Sequence, residues 1–102
     1  MSERLPTREQ ALYFLRQSGC RLNVIRHCEA VSELASEIAE AARKRGYAVD
    51  VELVEISGLL HDIGRGKTHS VHHAVVGAEI AEALRLPRSV VSIIRKHVGG
   101  GI

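Results

Sequence analysis

The chain has 102 residues and a formal net charge of +2. A chain of this size buries roughly 60–70% of the surface it would expose unfolded, enough for one core but not for two. Acids and bases are interleaved and only Tyr13, Phe14 and Tyr47 are aromatic, which leaves neither a basic face for a phosphate backbone nor a stacking platform for single strands, so a nucleic-acid polymer is not an expected partner.

No run of 18 apolar residues occurs, and no apolar signal region follows Met1-Ser2-Glu3-Arg4, so no membrane contact is expected and a cytoplasmic setting is read. Cys20 and Cys28 are too few for a secreted disulfide framework and form no Cys-x-x-Cys pair. Cys28 falls on an apolar helical face and reads as a buried thiol.

The first element opens at Thr7, which follows Pro6 and precedes Gln10 by three residues, the spacing of a capping box; it reaches about Gln17 and closes at Gly19. Asn23 opens a long second helix. Its apolar residues Val24, Cys28, Val31, Ala35, Ile38 and Ala42 recur at helical spacing, and it ends in Arg43-Lys44-Arg45-Gly46, cations and a glycine where a helix terminus favours them. Asp50 caps a third helix through Val54, Gly58 and Leu59. This helix should run out at His61-Asp62-Ile63-Gly64, because Gly64 and Gly66 interrupt it. A fourth helix is expected from about Ser70 to Leu84, and a fifth from Pro87, a favoured first helical residue, to about His97. With no strand pattern, repeat or linker, the expectation over residues 1–102 is one all-α domain, a compact bundle of about five helices.

Five of the six histidines stand at four stations: His27, His61 beside Asp62, His72-His73, and His97. Imidazole and carboxylate are the ligands that hold Mn, Fe, Co, Ni, Zn or Mg. A hydrolytic metal needs several of them converging from separate elements, with one coordination position open to water. Each histidine also has a plainer reading. His27 lies at the edge of a stripe with Val31, Leu34 and Ile38, where a hydrogen-bonded packing histidine would serve as well. His61 and Asp62 sit at a helix end, where the backbone turns and adjacent side chains can face one centre, although Asp62 could be a turn residue only. His73 shares an apolar row with Gly77, Ile80 and Leu84 and should point inward, while His72 shares a face with Glu79 and should point outward. Gly77 would let a neighbouring backbone approach closely. His97 closes the apolar face of Val90, Ile93 and Ile94, and His69 reads as a solvated loop residue.

Taken together, His27 on a helix, Gly58-Leu59-Leu60-His61-Asp62-Ile63-Gly64-Arg65, His73-Ala74-Val75-Val76-Gly77-Ala78-Glu79-Ile80 and Ile94-Arg95-Lys96-His97 resemble the HD-domain superfamily of metal-dependent phosphohydrolases, in its HDIG branch. The likeness covers roughly residues 21 to 98. It implies that His27, His61 and Asp62 bind a first divalent metal. In two-metal members of the superfamily, Asp62 would bridge to a second ion on His73 and His97. The superfamily completes its first site with an aspartate on a later helix, and no aspartate follows Asp62 in this chain. Gly99-Gly100-Gly101-Ile102 read as an interrupted loop, so a truncated domain is expected, with an apolar face left open and a homodimer as its simplest consequence.

The chemistry implied by the resemblance is hydrolysis of a phosphoester by metal-activated water, with a nucleotide or another small phosphorylated molecule as substrate. Asp62 would serve the reaction through the metal. Arg65 and Lys67, in a glycine-bounded loop just beyond it, are the candidates for phosphate contacts, ahead of Arg95 and Lys96. Two other classes stay open, namely a non-catalytic metal-binding or ligand-sensing module and a purely structural helical domain. Metal content and phosphoester turnover separate the three.

Overall fold

The Oγ1 of Thr7 accepts the Gln10 amide at 3.1 Å while the Gln10 side chain takes the Thr7 amide at 2.8 Å, and this reciprocal cap starts α1 (Arg8–Gln17). At Gly19, with φ +90°, the chain turns into α2 (Leu22–Lys44). The carboxylate of Asp50 accepts the Leu53 amide at 3.1 Å and opens α3 (Val51–Leu60). A 3₁₀ turn over Ile63–Gly66 follows, then α4 (His73–Ala83) and α5 (Arg88–Gly100). These elements come from a computed structural model that describes residues 4–70 and 72–100. The five expected helices are present, and no strand occurs among the described residues.

Three boundaries differ from expectation. α2 opens at Leu22, with Arg21 in the cap position and no side-chain cap bond, so Asn23 lies inside the first turn. α4 begins at His73 and not at Ser70, because the Ser70 hydroxyl accepts the His72 amide at 3.1 Å and its carbonyl accepts the His73 amide at 3.0 Å, an irregular turn that delays the helix. Pro87 precedes α5 and offers its carbonyl to the Val90 and Val91 amides, and the helix continues through Gly100, so Gly99 and Gly100 are helical. Residues 101 and 102 of the expected loop lie outside the described residues.

α3 is the central element, packed against α1, α2 and α5, while α4 leans on α5 and the 3₁₀ turn. Leu15, Cys28, Leu59, Leu60, Ile63, Val90 and Ile94 are fully buried between them. Side chains of this kind each contribute about 1.5–3 kcal/mol when fully removed from water. The seam between α2 and α3 is made of small residues. The Ser32 hydroxyl donates to the Glu55 carbonyl at 2.8 Å, and a Cβ placed on Gly58 would lie 3.0 Å from Ser32 Cα. Burying that seam rotates the rest of α2 outward. The apolar stripe expected to be buried beside His27 is therefore largely open: Leu34 is 61% and Ile38 63% exposed, and Leu84, just past the end of α4, is also exposed. No helix among the described residues is long and apolar enough to cross a membrane.

Candidate metal centre

Asp62 follows the last turn of α3 and is 3% exposed. A carboxylate so deeply buried needs opposite charge or hydrogen-bond donors on every side, and its two oxygens divide the surrounding groups between them. Oδ2 lies 3.3 Å from His27 Nε2, 3.2 Å from His61 Nε2 and 3.2 Å from Arg65 Nε. Oδ1 lies 3.2 Å from His73 Nε2 and 3.1 Å from His97 Nε2. α2, the end of α3, the start of α4 and the last turns of α5 thus each send one imidazole to the same carboxylate.

Glycines make this convergence possible. A Cβ on Gly64 would lie 2.7 Å from Gly77 N and 2.8 Å from the His73 carbonyl carbon, and nearer still to the His73 carbonyl oxygen. A Cβ on Gly77 would meet Ile94 at 3.0 Å and Gly64 N at 3.1 Å. Only at these two positions without side chains can α4 close on the 3₁₀ turn far enough to carry His73 to Asp62.

Three of the four imidazoles have their second nitrogen committed. Nδ1 of His61, His73 and His97 lies 2.6, 2.8 and 2.7 Å from the carbonyls of Gly58, Ser70 and Ile94, in each case three residues back along the chain. A carbonyl only accepts, so each Nδ1 carries the proton and, in the neutral ring, each Nε2 carries a lone pair aimed inward. His73 Nε2 and His97 Nε2 are 3.0 Å apart with Asp62 Oδ1 beside both. Electron-rich atoms so placed repel one another unless a proton or a cation lies among them. For bonds of about 2.1 Å, neighbouring ligands of an octahedral ion stand about 3.0 Å apart and those of a tetrahedral ion about 3.4 Å. The separations observed fall in that interval, so the donor set fits a divalent cation. His27, His61 and Asp62 form one group of three donors, and Asp62, His73 and His97 a second.

Charge follows the same geometry. Burial alone would raise the pKa of Asp62, but the hydrogen bond and charge of His61, with Arg65 and His97, outweigh it and hold the carboxyl below its ordinary 3.8. Burial opposes protonation of His61. Its bonds to Asp62 and the Gly58 carbonyl more than compensate, and its pKa is raised from 6.5. Behind the site, burial pushes the Cys28 thiol up to about 12, with the Asp62 charge adding to the effect. Cys20 is also buried and donates to the Ile63 carbonyl at 3.5 Å. Both cysteines are inert walls.

The HD-domain family profile matches residues 24–102. The chain belongs to the HD-domain family. HD domains bind divalent metals, and the histidine-aspartate cluster described above is where this one could hold them. An uncharacterised protein of Methanocaldococcus jannaschii is 51% identical over 94 residues, which cover 92% of this chain and 55% of that protein. A tRNA (cytidine(56)-2'-O)-methyltransferase of Thermoplasma volcanium is 39% identical over 96% of this chain and 28% of its own length. Ribonuclease Y of Clostridium botulinum is 39% identical over 76% of this chain and 14% of its own. This chain thus spans about half the length of the first relative, 28% of the second and 14% of the third. No solved structure matches significantly.

The five residues named as ligands from the sequence, His27, His61, Asp62, His73 and His97, come together, and His69 and His72 face solvent as expected. Arg65 is held by Asp62 and lines, with Asn23, Val24, His27 and Asp62, a cavity of about 240 Å³ over the Oδ2 side. Lys67 is exposed at the end of the 3₁₀ turn, and Arg95 pairs with Glu82 at 3.6 Å. Among the described residues no second carboxylate joins either donor group. Asp50, the only other aspartate, caps the opposite end of α3, beside a larger cavity of about 510 Å³ that contains no histidine. Sequence reasoning missed the bond from Arg65 to Asp62 and the close packing of Gly64. The three-residue spacing of Arg65 from Asp62 carried the first as a signal. The second had none beyond the glycine itself.

Proposed function

We propose that this HD domain hydrolyses a phosphoester, with a nucleotide or a similarly small phosphorylated molecule as substrate. The observation that carries this reading is the convergence of four Nε2 atoms from separate helices on both oxygens of one buried carboxylate. His27, His61 and Asp62 would hold a first ion, and Asp62, His73 and His97 a second. A bound divalent metal would supply a water of lowered pKa and Lewis-acid polarisation of the phosphoryl group. The chain's own part is to orient and to neutralise. The carbonyls of Gly58, Ser70 and Ile94 fix three rings in the required tautomer, and the buried thiols and leucines behind Asp62 exclude water from its rear. Arg65, which pairs with Oδ2 and lines the cavity, would be the group best placed to bind phosphoryl oxygens there if a cation took over the Asp62 charge. Lys67, at the rim, adds a more distant cation. A cytoplasmic setting suits the two free thiols.

The first ion would be bound weakly, since His27, His61 and Asp62 offer one negative charge against two positive. That imbalance favours a second reading, a metal-binding or ligand-sensing module without turnover. The names of two of the relatives point to RNA for the proteins that bear them, and an RNA-derived phosphoester falls within the class proposed here.

The test is hydrolysis of p-nitrophenyl phosphate and bis(p-nitrophenyl) phosphate by the purified chain with added Mn. Turnover that disappears in Asp62→Ala supports the hydrolase. Metal bound without turnover supports the sensing module, and no metal bound at all refutes both.

A further inference from the structure

The cavity over Asp62 Oδ2 is lined by Asn23, Val24, His27, Asp62 and Arg65, and the metal and phosphoryl chemistry uses the last three. Val24 is buried and supplies an apolar edge. Asn23 is exposed and lies four residues before His27, so the two side chains stand on one row of α2 with Cβ atoms about 5–6 Å apart. The start of α2 makes no use of it. Arg21 occupies the cap position, and the Asn23 carboxamide has no hydrogen-bond partner among the described residues. A carboxamide both donates and accepts, and at this cavity wall the protein itself takes up neither capacity.

Size and charge narrow what Asn23 can meet. The cavity of about 240 Å³ is smaller than the roughly 300–1,000 Å³ of pockets that bury a drug-sized ligand. It has room for a phosphoryl group and a pentose-sized alcohol, but not for a nucleobase as well. Tyr13, Phe14 and Tyr47 are absent from its lining, so no aromatic ring stacks on a base there. Arg65 is the one permanently charged cation of the lining, which matches one phosphoryl group and leaves a second without a partner.

We infer that Asn23 selects the alcohol half of the substrate, and that this half is a pentose-sized alcohol with neighbouring hydroxyls and a single phosphoryl group. The inference rests on the phosphoester reading and refines it. With the phosphoryl group beside Arg65 and Asp62, hydroxyls a few bonds along the alcohol reach the row position of Asn23, one turn of α2 before His27. The carboxamide oxygen accepts from one hydroxyl, its NH2 donates to the next, and Val24 contacts the carbon skeleton. A base carried by the sugar lies beyond the cavity and is not distinguished.

Adenosine 5′-monophosphate and its 2′-deoxy form, which lacks one of the two neighbouring hydroxyls, provide the test. In the presence of Mn, kcat/KM should favour the ribo form by about 3–10-fold, the worth of one hydrogen bond, and the preference should fall to about unity in Asn23→Ala. A ratio of two substrates on one protein cancels any general damage done by the substitution. The four ribonucleoside 5′-monophosphates should differ among themselves by less than one such bond, about 3-fold, and adenosine diphosphate should gain no affinity from its second phosphate. Titration calorimetry with Mn present gives the same ratios as dissociation constants and needs no turnover, so the two readings fail separately. Turnover of p-nitrophenyl phosphate without any ribo preference overturns the role of Asn23 and leaves the hydrolase standing. A ribo preference in binding without turnover of any ester removes the hydrolase and keeps the selecting role. A preference that survives in Asn23→Ala, one base favoured by more than about 10-fold (about 1.4 kcal/mol), or tighter binding of the diphosphate overturns the inference.

Discussion

Replacing Gly64 by alanine isolates the packing that assembles the site, because it alters no ligand and no charge. The new Cβ would sit 2.7 Å from Gly77 N and 2.8 Å from the His73 carbonyl carbon, where ordinary contact begins at 3.4 Å, so α4 must retreat by at least 0.7 Å. His73 opens α4 and would move with it. Metal–ligand distances tolerate only about 0.2 Å, so a shift of this size removes His73 from the second donor group and leaves Asp62 and His97. Metal affinity at that group should fall at least about 10–100-fold, the range that even supporting partners of a metal commonly show. Forcing a methyl group into packed backbone costs about 1–3 kcal/mol. At about 4–8 °C per kcal/mol for a domain of this size, the metal-free protein should melt roughly 5–20 °C lower. Calorimetric titration with Mn, and thermal melts in chelator, measure the two effects separately. Wild-type stoichiometry together with a melting temperature within a degree or two of wild type would refute the reasoning, since it would mean that α4 does not rest on Gly64.

Asp62→Ala should abolish metal binding at both donor groups while His69→Ala and His72→Ala bind normally, as elemental analysis of the purified variants will register. Arg65→Ala removes the guanidinium from Oδ2 and should leave metal affinity unchanged or improved while raising KM for phosphoesters about 10-fold or more, the loss expected of a hydrogen bond to a charged group. The pH dependence follows from the two displaced groups. His61, with its pKa raised, contributes stability that is full below 6.5 and lost as pH rises through its folded value; Asp62, with its pKa lowered, contributes stability present above 3.8 and lost as pH falls through its folded value. The metal-free protein should therefore melt progressively lower as pH rises from 6 to 8 (about one imidazole titration), and the increase in melting temperature on adding Mn should grow over the same interval as protons cease to compete.

Helix existence was legible because its determinants are local. The Thr7–Gln10 cap, the Asp50 cap and the glycines near 19, 46 and 64 act within a turn or two of themselves. The starts of α2 and α4 were less so. Arg21 caps α2 without a side-chain bond, and Ser70 spends its hydroxyl and carbonyl on a turn that a helix-start pattern does not distinguish from a cap. The five residues that converge could be named as candidate ligands because an imidazole and a carboxylate in the HDIG pattern have few other uses, and helical phase alone separated His73 from His72. What the sequence could not supply was which side of α2 is covered. Its periodicity fits two adjacent rows equally well. The choice between them depends on Ser32 and Gly58 closing the seam with α3, a contact between positions 26 residues apart.

The most direct test of the central claim is where the metal goes. Crystals grown with Mn and measured for anomalous scattering should show density within about 2.0–2.3 Å of Asp62 Oδ1 and of Nε2 of His73 and His97, with a second, weaker peak shared by Asp62 Oδ2, His27 and His61. Anomalous density elsewhere on the surface, with the four histidines still bonded to Asp62 and to one another, would contradict the account.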